Sequence, residues 1–219
     1  MTTKQLSLEH LIKPSSKDGK APLILLLHGY GSDQNDLFSF ASEFPDEYIV
    51  VSAKAPHPLQ PYGNAWYAIN FDAQQGKFSD IDQAVESRKL IIQFIEELKE
   101  SYPINADQIT LLGFSQGTIL SFATAFSRPA LIKNVIGLSG YIDQNMFDTD
   151  NLSHEDLKHL SIYNSHGTQD QVIPVEWARK NKDFFDKYDL DYTYEEYPVG
   201  HGVNPQNFQS LKNWLIKHS

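Results

Sequence analysis

The sequence contains no cysteine. That absence removes disulfides, thiolate metal sites and a cysteine nucleophile together, so any covalent chemistry falls to other side chains. Cations are scarce as well: 18 Lys and Arg stand against 28 Asp and Glu, a formal net charge of −10. Such a balance opposes nonspecific attraction to phosphate backbones and anionic membranes, and it sets nucleic acid aside as a partner. Long apolar runs are missing too. No uninterrupted stretch reaches the ~18 residues that span a bilayer, and the N-terminal "MTTKQLSLEHLIKPSSKDGK" has no apolar core of signal-peptide length. A soluble, cytoplasmic chain without stable membrane insertion is expected. Neither an internal repeat nor a Gly/Ser-rich linker divides the 219 residues, and 41% hydrophobic content suffices for one domain spanning 1–219.

What remains is an alternation of apolar runs with helical patterns. After a strand candidate at 5–12 and the "KPSSKDGK" turn, "APLILLLHG" is a continuous apolar run that suits a strand covered on both faces. Helical spacing over 33–44 leads to a second run, "EYIVVSA", and then to an irregular Pro-containing segment. The strongest helical pattern takes Ser79 as N-cap, places Ile81, Val85, Ile92, Ile95 and Tyr102 on one face, and stops at Pro103. Beyond it, strand candidates "QITLLGF", "KNVIGLSG", "LSIYNSHG" and "DYTYEEYP" are joined by helical patterns over 115–126 and 175–188, and 205–218 closes the chain. Strands alternating with helices need crossover connections, so the expected class is α/β, a mostly parallel central sheet with helices on both faces. Function is then expected where strands end at their carboxyl edge.

One strand candidate turns straight into a helix at "TLLGFSQGTIL" (110–120). Its centre, "GFSQG", matches the G-x-S-x-G nucleophile elbow in the context that motif requires, with Ser115 as nucleophile and Gln116 as a backbone N–H donor at a helix start. Ser115 could equally cap the helix and do nothing more. The loop after the first apolar run, "LLLHGYGSD", offers a second oxyanion donor in the backbone N–H of Tyr30, while His28 precedes the elbow and is read as ordering that loop. Chain order in this fold class then asks for an acid and a histidine after Ser115. "HGTQDQVIP" places Asp170 in a short loop after a strand, although it could instead cap the helix that begins near Pro174. Beyond Asp170 only His201 and His218 remain, and His218 is the penultimate residue at a frayed helix end. His201, in "PVGHGVN", is the base candidate, with capping of the final helix as its alternative. Three placements in the required order favour a Ser115, His201, Asp170 triad over three separate caps. Such a triad needs no metal or organic cofactor.

Together "LLLHGYGSD", "NAWYAI", "ITLLGFSQG", "HGTQDQVIP" and "GHG" resemble the phospholipase/carboxylesterase family of α/β-hydrolases, which includes acyl-protein thioesterases, from about Ala21 to the C-terminus. The first loop is closer to the family's bacterial carboxylesterase branch, and Thr118 stands where thioesterase-like members often have glycine. The resemblance implies an α/β-hydrolase fold, Ser115, Asp170 and His201 as triad, and Tyr30 and Gln116 as backbone oxyanion donors. It also implies a small-molecule ester substrate with a short to medium acyl chain, with thioesters or lysophospholipids as alternatives. Several similar proteins form homodimers, so a homodimer is among the assemblies to expect. A noncatalytic binding module that kept the fold would normally have lost a triad residue, and none is missing. The segment 141–159 is short and polar where lipases insert a lid, which predicts minimal or no lid over an open, shallow site. Trp66 and Tyr67 are the pocket candidates, with Trp66 either an apolar pocket wall or part of the core. Gln116 is expected to act mainly through its backbone N–H.

Overall fold

The computed structural model describes residues 6–72 and 76–219. Its frame is a seven-stranded sheet made of β1 (His10–Lys13), β2 (Ala21–Leu27), β3 (Ile49–Ala53), β4 (Ile104–Phe114), β5 (Asn134–Leu138), β6 (Ser161–Gly167) and β7 (Asp191–Tyr197). The spatial order is β1-β3-β2-β4-β5-β6-β7, with β1 antiparallel to β3 and the other neighbours parallel. Seven helices accompany it among the described residues: α1 (Gln34–Phe38), α2 (Ile81–Ser101), α3 (Gln116–Ser127), α4 (His154–Leu157), α5 (Val175–Arg179), α6 (Asn181–Lys187) and α7 (Pro205–Lys217).

Period-two geometry explains why β2 is apolar at every position. Leu23, Leu25 and Leu27 enter a core shared with α2, α3 and α6, while Ile24 and Leu26 enter a second core shared with α1 and α7. The register aligns the strand ends: Leu27 stands opposite Gly113, Gly113 opposite Gly137, Leu138 opposite Ser165 and Gly167 opposite Tyr197. The loops after β2, β4, β6 and β7 therefore emerge at one carboxyl edge.

Four expectations change in detail. The first strand lies at His10–Lys13 rather than 5–12, where it pairs with β3, and Gln5 lies outside the described residues. The N-cap of α2 is Asp80 instead of Ser79, because the Asp80 carboxylate accepts the Gln83 N–H. The buried stripe of that helix is Ala84, Ser87, Ile91, Phe94, Ile95 and Leu98, with Ile81 and Ile92 on its flank. Small residues at 84 and 87 let the helix approach closely, which a count of large apolar residues does not register. The helix expected over 175–188 is divided into α5 and α6 at Lys180, which keeps right-handed dihedrals (φ −67°, ψ −18°). Asn181, just after the break, is buried and fastened by Asn181 Nδ2–H to Asn164 Oδ1 and by the Ile142 N–H to Asn181 Oδ1, both 2.8 Å. The irregular segment after β3 contains two antiparallel ribbons, His57–Pro58 with Asn64–Ala65 and Ile69–Asp72 with Gly76–Ser79.

Leu25 is fully buried in the central strand. Leu25→Ala is expected to lower unfolding free energy by about 2–5 kcal/mol through lost burial and a residual cavity, measured by urea denaturation.

Candidate active site

β4 ends at Phe114 and α3 begins at Gln116, so Ser115 alone turns the chain. It does so at φ 54° and ψ −116°, a conformation that a residue with a side chain holds only when its surroundings impose it. The imposing contact is a close passage of backbone past backbone. A Cβ on Gly117 would stand 1.9 Å from the Leu27 carbonyl oxygen, and one on Gly113 would stand 2.4 Å from the Gly117 carbonyl. The Ser115 N–H donates to Leu138 O at 2.9 Å. Thr118 Oγ1, fully buried, lies 2.7 Å from both Gly113 O and Leu138 O, to either of which its one O–H can donate, and accepts the Leu138 N–H at 2.9 Å. Thr118 thus ties the elbow to β5.

The three residues read as a triad are brought together. His201 Nε2 lies 2.9 Å from Ser115 Oγ, and His201 Nδ1 lies 2.6 Å from Asp170 Oδ2. A carboxylate only accepts, so Nδ1 carries the proton toward Asp170 and Nε2 presents a lone pair to the serine hydroxyl. The loops that carry acid and base are bonded to each other, Thr168 N–H to Tyr197 O at 2.8 Å and Gln169 N–H to Val199 O at 3.0 Å. The Phe114 ring packs 5.0 Å from the imidazole, centroid to centroid.

Asp170 Oδ1 accepts the N–H groups of Val172 at 2.8 Å and Ile173 at 2.9 Å. These bonds order the loop before α5; Pro174, the N-cap of α5, has no side-chain cap. Burial pushes the Asp170 carboxyl up, but hydrogen bonds from His201 and from the Ile173 and Val172 N–H groups outweigh it and hold the carboxyl below its usual range. One neighbour was not assigned a role from sequence. Buried His166 donates from Nε2 to Ile173 O at 2.8 Å with the same atom 3.2 Å from Asp170 Oδ2. The signal was present in the i, i+4 spacing of His166 and Asp170 across a strand end.

The N–H groups of Tyr30 and Gln116 have no acceptor among the described residues, and both residues line the same cavity as Ser115 and His201. His28 is fully buried beside this loop, donating from Nδ1 to Gly29 O at 2.7 Å and accepting the Ala55 N–H on Nε2 at 3.0 Å. Burial lowers its pKa, which suits a ring that accepts on one nitrogen.

The cavity that Ser115 lines measures about 600 Å³, and Ser115 is 7% exposed. Tyr67 lines it, but Trp66 does not, which corrects the pocket-wall expectation for that residue. Trp66 is fully buried because its indole N–H reaches inward to His28 O at 2.9 Å. The apolar wall comes instead from Ile119, Val172, Ile173 and Trp177, the last edge-on to Tyr141 at 5.1 Å. Burial and the nearby Asp143 carboxylate push the Tyr141 hydroxyl up to about 12, leaving it protonated at neutral pH. The segment 141–159 holds only a 3-10 turn at Gln144–Met146 and the single turn α4, and its Tyr141, Asp143 and Asn145 form part of the cavity wall. Among the described residues no group of three or more His, Cys, Asp or Glu side chains is arranged to hold a metal ion.

A model of the phospholipase/carboxylesterase family matches residues 9–219. The chain belongs to that family. It is an ester-cleaving hydrolase with the α/β-hydrolase fold. Acyl-protein thioesterase 1 of Kluyveromyces lactis is 28% identical over 213 residues, covering 89% of this chain and 91% of the relative. The esterase YpfH of Escherichia coli is 22% identical over 219 residues, covering 96% and 90%. Among solved structures, the Bacillus cereus carboxylesterase superposes with a TM-score of 0.82 at 19% identity, covering 97% of this chain and 95% of that one. No helix among the described residues is long and apolar enough to cross a membrane.

Two outcomes follow from this geometry. Because the folded-state pKa of Asp170 is depressed, its contribution to stability is present above the unfolded carboxylate value of about 4 and is lost as pH falls through the lower folded value. Urea midpoints of wild type and Asp170→Asn should therefore differ most near neutrality, draw together as pH falls below about 4 and converge only below the folded-state value. Thr118→Val, which keeps shape but strands the Leu138 N–H, should cost about 1–3 kcal/mol in the same assay.

Proposed function

We propose that this family member is a serine carboxylesterase that hydrolyses esters of short to medium acyl chains through an acyl-Ser115 intermediate. The supporting observation is the continuous hydrogen-bonded line from Ser115 Oγ through His201 to Asp170, at 2.9 and 2.6 Å. Ser115 Oγ attacks the ester carbonyl carbon while its proton passes to His201 Nε2, and Asp170 holds the ring and stabilises the imidazolium. The carbonyl oxygen, now an oxyanion, takes the N–H groups of Tyr30 and Gln116. Collapse breaks the ester C–O bond, and His201 returns its proton to the departing alcohol. Water then gives a proton to His201 and attacks the acyl carbon, and the same sequence releases the acid and restores Ser115. The apolar wall of Ile119, Val172, Ile173 and Trp177 in a cavity of about 600 Å³ suits a modest acyl chain.

The relative named acyl-protein thioesterase 1 supports a second reading, hydrolysis of acyl thioesters by the same residues, with lysophospholipids as further candidates. A fluorophosphonate probe should label wild type and leave Ser115→Ala unlabelled; equal labelling of both, or of neither, would remove the nucleophile assignment. With p-nitrophenyl esters of graded chain length, His201→Ala and Asp170→Asn are each expected to lower kcat on the order of 10⁴-fold. Acyl thioesters and lysophosphatidylcholine run in parallel decide between the two readings by their kcat/KM.

A further inference from the structure

Gln116 carries more than its backbone N–H. The side chain is 2% exposed and both ends of its amide are engaged: Oε1 accepts the Trp66 N–H and Nε2 donates to Tyr67 O, each at 2.8 Å. The segment it grasps is bonded along its length. Asn64 O accepts the Gly31 N–H at 2.9 Å, and the Asn64 N–H donates to Ser32 O at 2.8 Å. The Trp66 indole N–H reaches His28 O, Ser87 Oγ donates to Trp66 O, and the Ala68 N–H donates to Gln83 Oε1 at 2.9 Å. The residues on both sides of Tyr30 are thus fastened to the strip of backbone that the Gln116 side chain holds.

We propose that Gln116 and Trp66 are positioning residues, acting through a strap of backbone at 64–68 that sets the distance between the Tyr30 and Gln116 N–H donors. The proposal rests on the esterase reading above, in which those two N–H groups receive the oxyanion. Donors of this kind act when they stand about 2.7–3.1 Å from the oxyanion, so a strap that slackens by a fraction of an ångström weakens the transition state more than the bound ester. One residue contributes at both ends of the device: the Gln116 main chain is a donor, and its side chain anchors the partner donor's support. Trp66 enters as the inward peg of the same strap.

The test uses Gln116→Leu, which removes both side-chain hydrogen bonds while keeping bulk, and Trp66→Phe, which removes the indole N–H together with part of the ring. Rates are normalised to sites titrated with the fluorophosphonate, so unfolded molecules do not count. Each variant is expected to lose about 10- to 100-fold in kcat with KM little changed. The inhibition constant of an alkyl trifluoromethyl ketone, whose hemiketal alkoxide takes the oxyanion's place, should rise by the same factor. The double variant should lose less than the product of the single losses, because both act on one strap. Wild-type kcat and ketone affinity per titrated site would overturn the proposal, whatever happens to Tm, and so would fully multiplicative losses. If Gln116→Leu does not fold, Trp66→Phe decides alone. Hydrolysis retained by Ser115→Ala would instead bring down the esterase reading itself.

Discussion

The carboxyl edge of the sheet is organised by how closely the first turn of α3 passes the end of β2. With no side chain at Gly117, the helix start lies against the Leu27 carbonyl, and that contact leaves Ser115 a conformation it would not choose. Strain of this kind persists only where neighbours over-determine the backbone. Here they do so through the Ser115 N–H on Leu138 O and through the Thr118 hydroxyl between β4 and β5. Because α3 starts straight after the elbow, the N–H of Gln116, its first residue, has no acceptor among the described residues, while those of Thr118 and Ile119 bond Ser115 O.

Three histidines near the edge are distinguished by what surrounds them. His28 has both nitrogens committed to backbone partners and a pKa lowered by burial, which makes it a strut. His166 gives one nitrogen to a carbonyl beside the Asp170 carboxylate. Only His201 joins a carboxylate on one nitrogen to the serine hydroxyl on the other, and its side chain retains 18% exposure, so water can reach it. Their division of labour follows from hydrogen-bond partners, since the rings are chemically alike.

Much of this could be read from the chain, for reasons that differ from residue to residue. The elbow was legible because its constraint is local: two glycines flank one serine within five positions, and the strand and helix it joins announce themselves by period. Asp170 and His201 were legible through chain order, a property of topology that survives without coordinates. The burial of Trp66 and the double grip of the Gln116 amide were not, because the two residues are 50 positions apart and nothing local marks their contact. The stripe of α2 was misplaced for a related reason, since Ala84 and Ser87 carry little hydrophobic signal yet mark the line of closest approach. The break at Lys180 escaped because its dihedrals stay helical and its cause, the anchored Asn181, lies in partners on β6 and at Ile142.

The long separations have a consequence for how the site comes into being. Synthesis delivers the 64–68 strap 50 residues before the glutamine that holds it, and delivers Ser115 86 residues before the histidine that would activate it. A growing chain can therefore form the strained elbow early, on the strength of β2, β4 and β5, before the proposed base of the serine is in place. His201 reaches Ser115 only when the loop after β7 docks. In the proposed triad Ser115 would thus gain its base only after β7 has been made, and an intermediate arrested before that point would hold a shaped but idle serine.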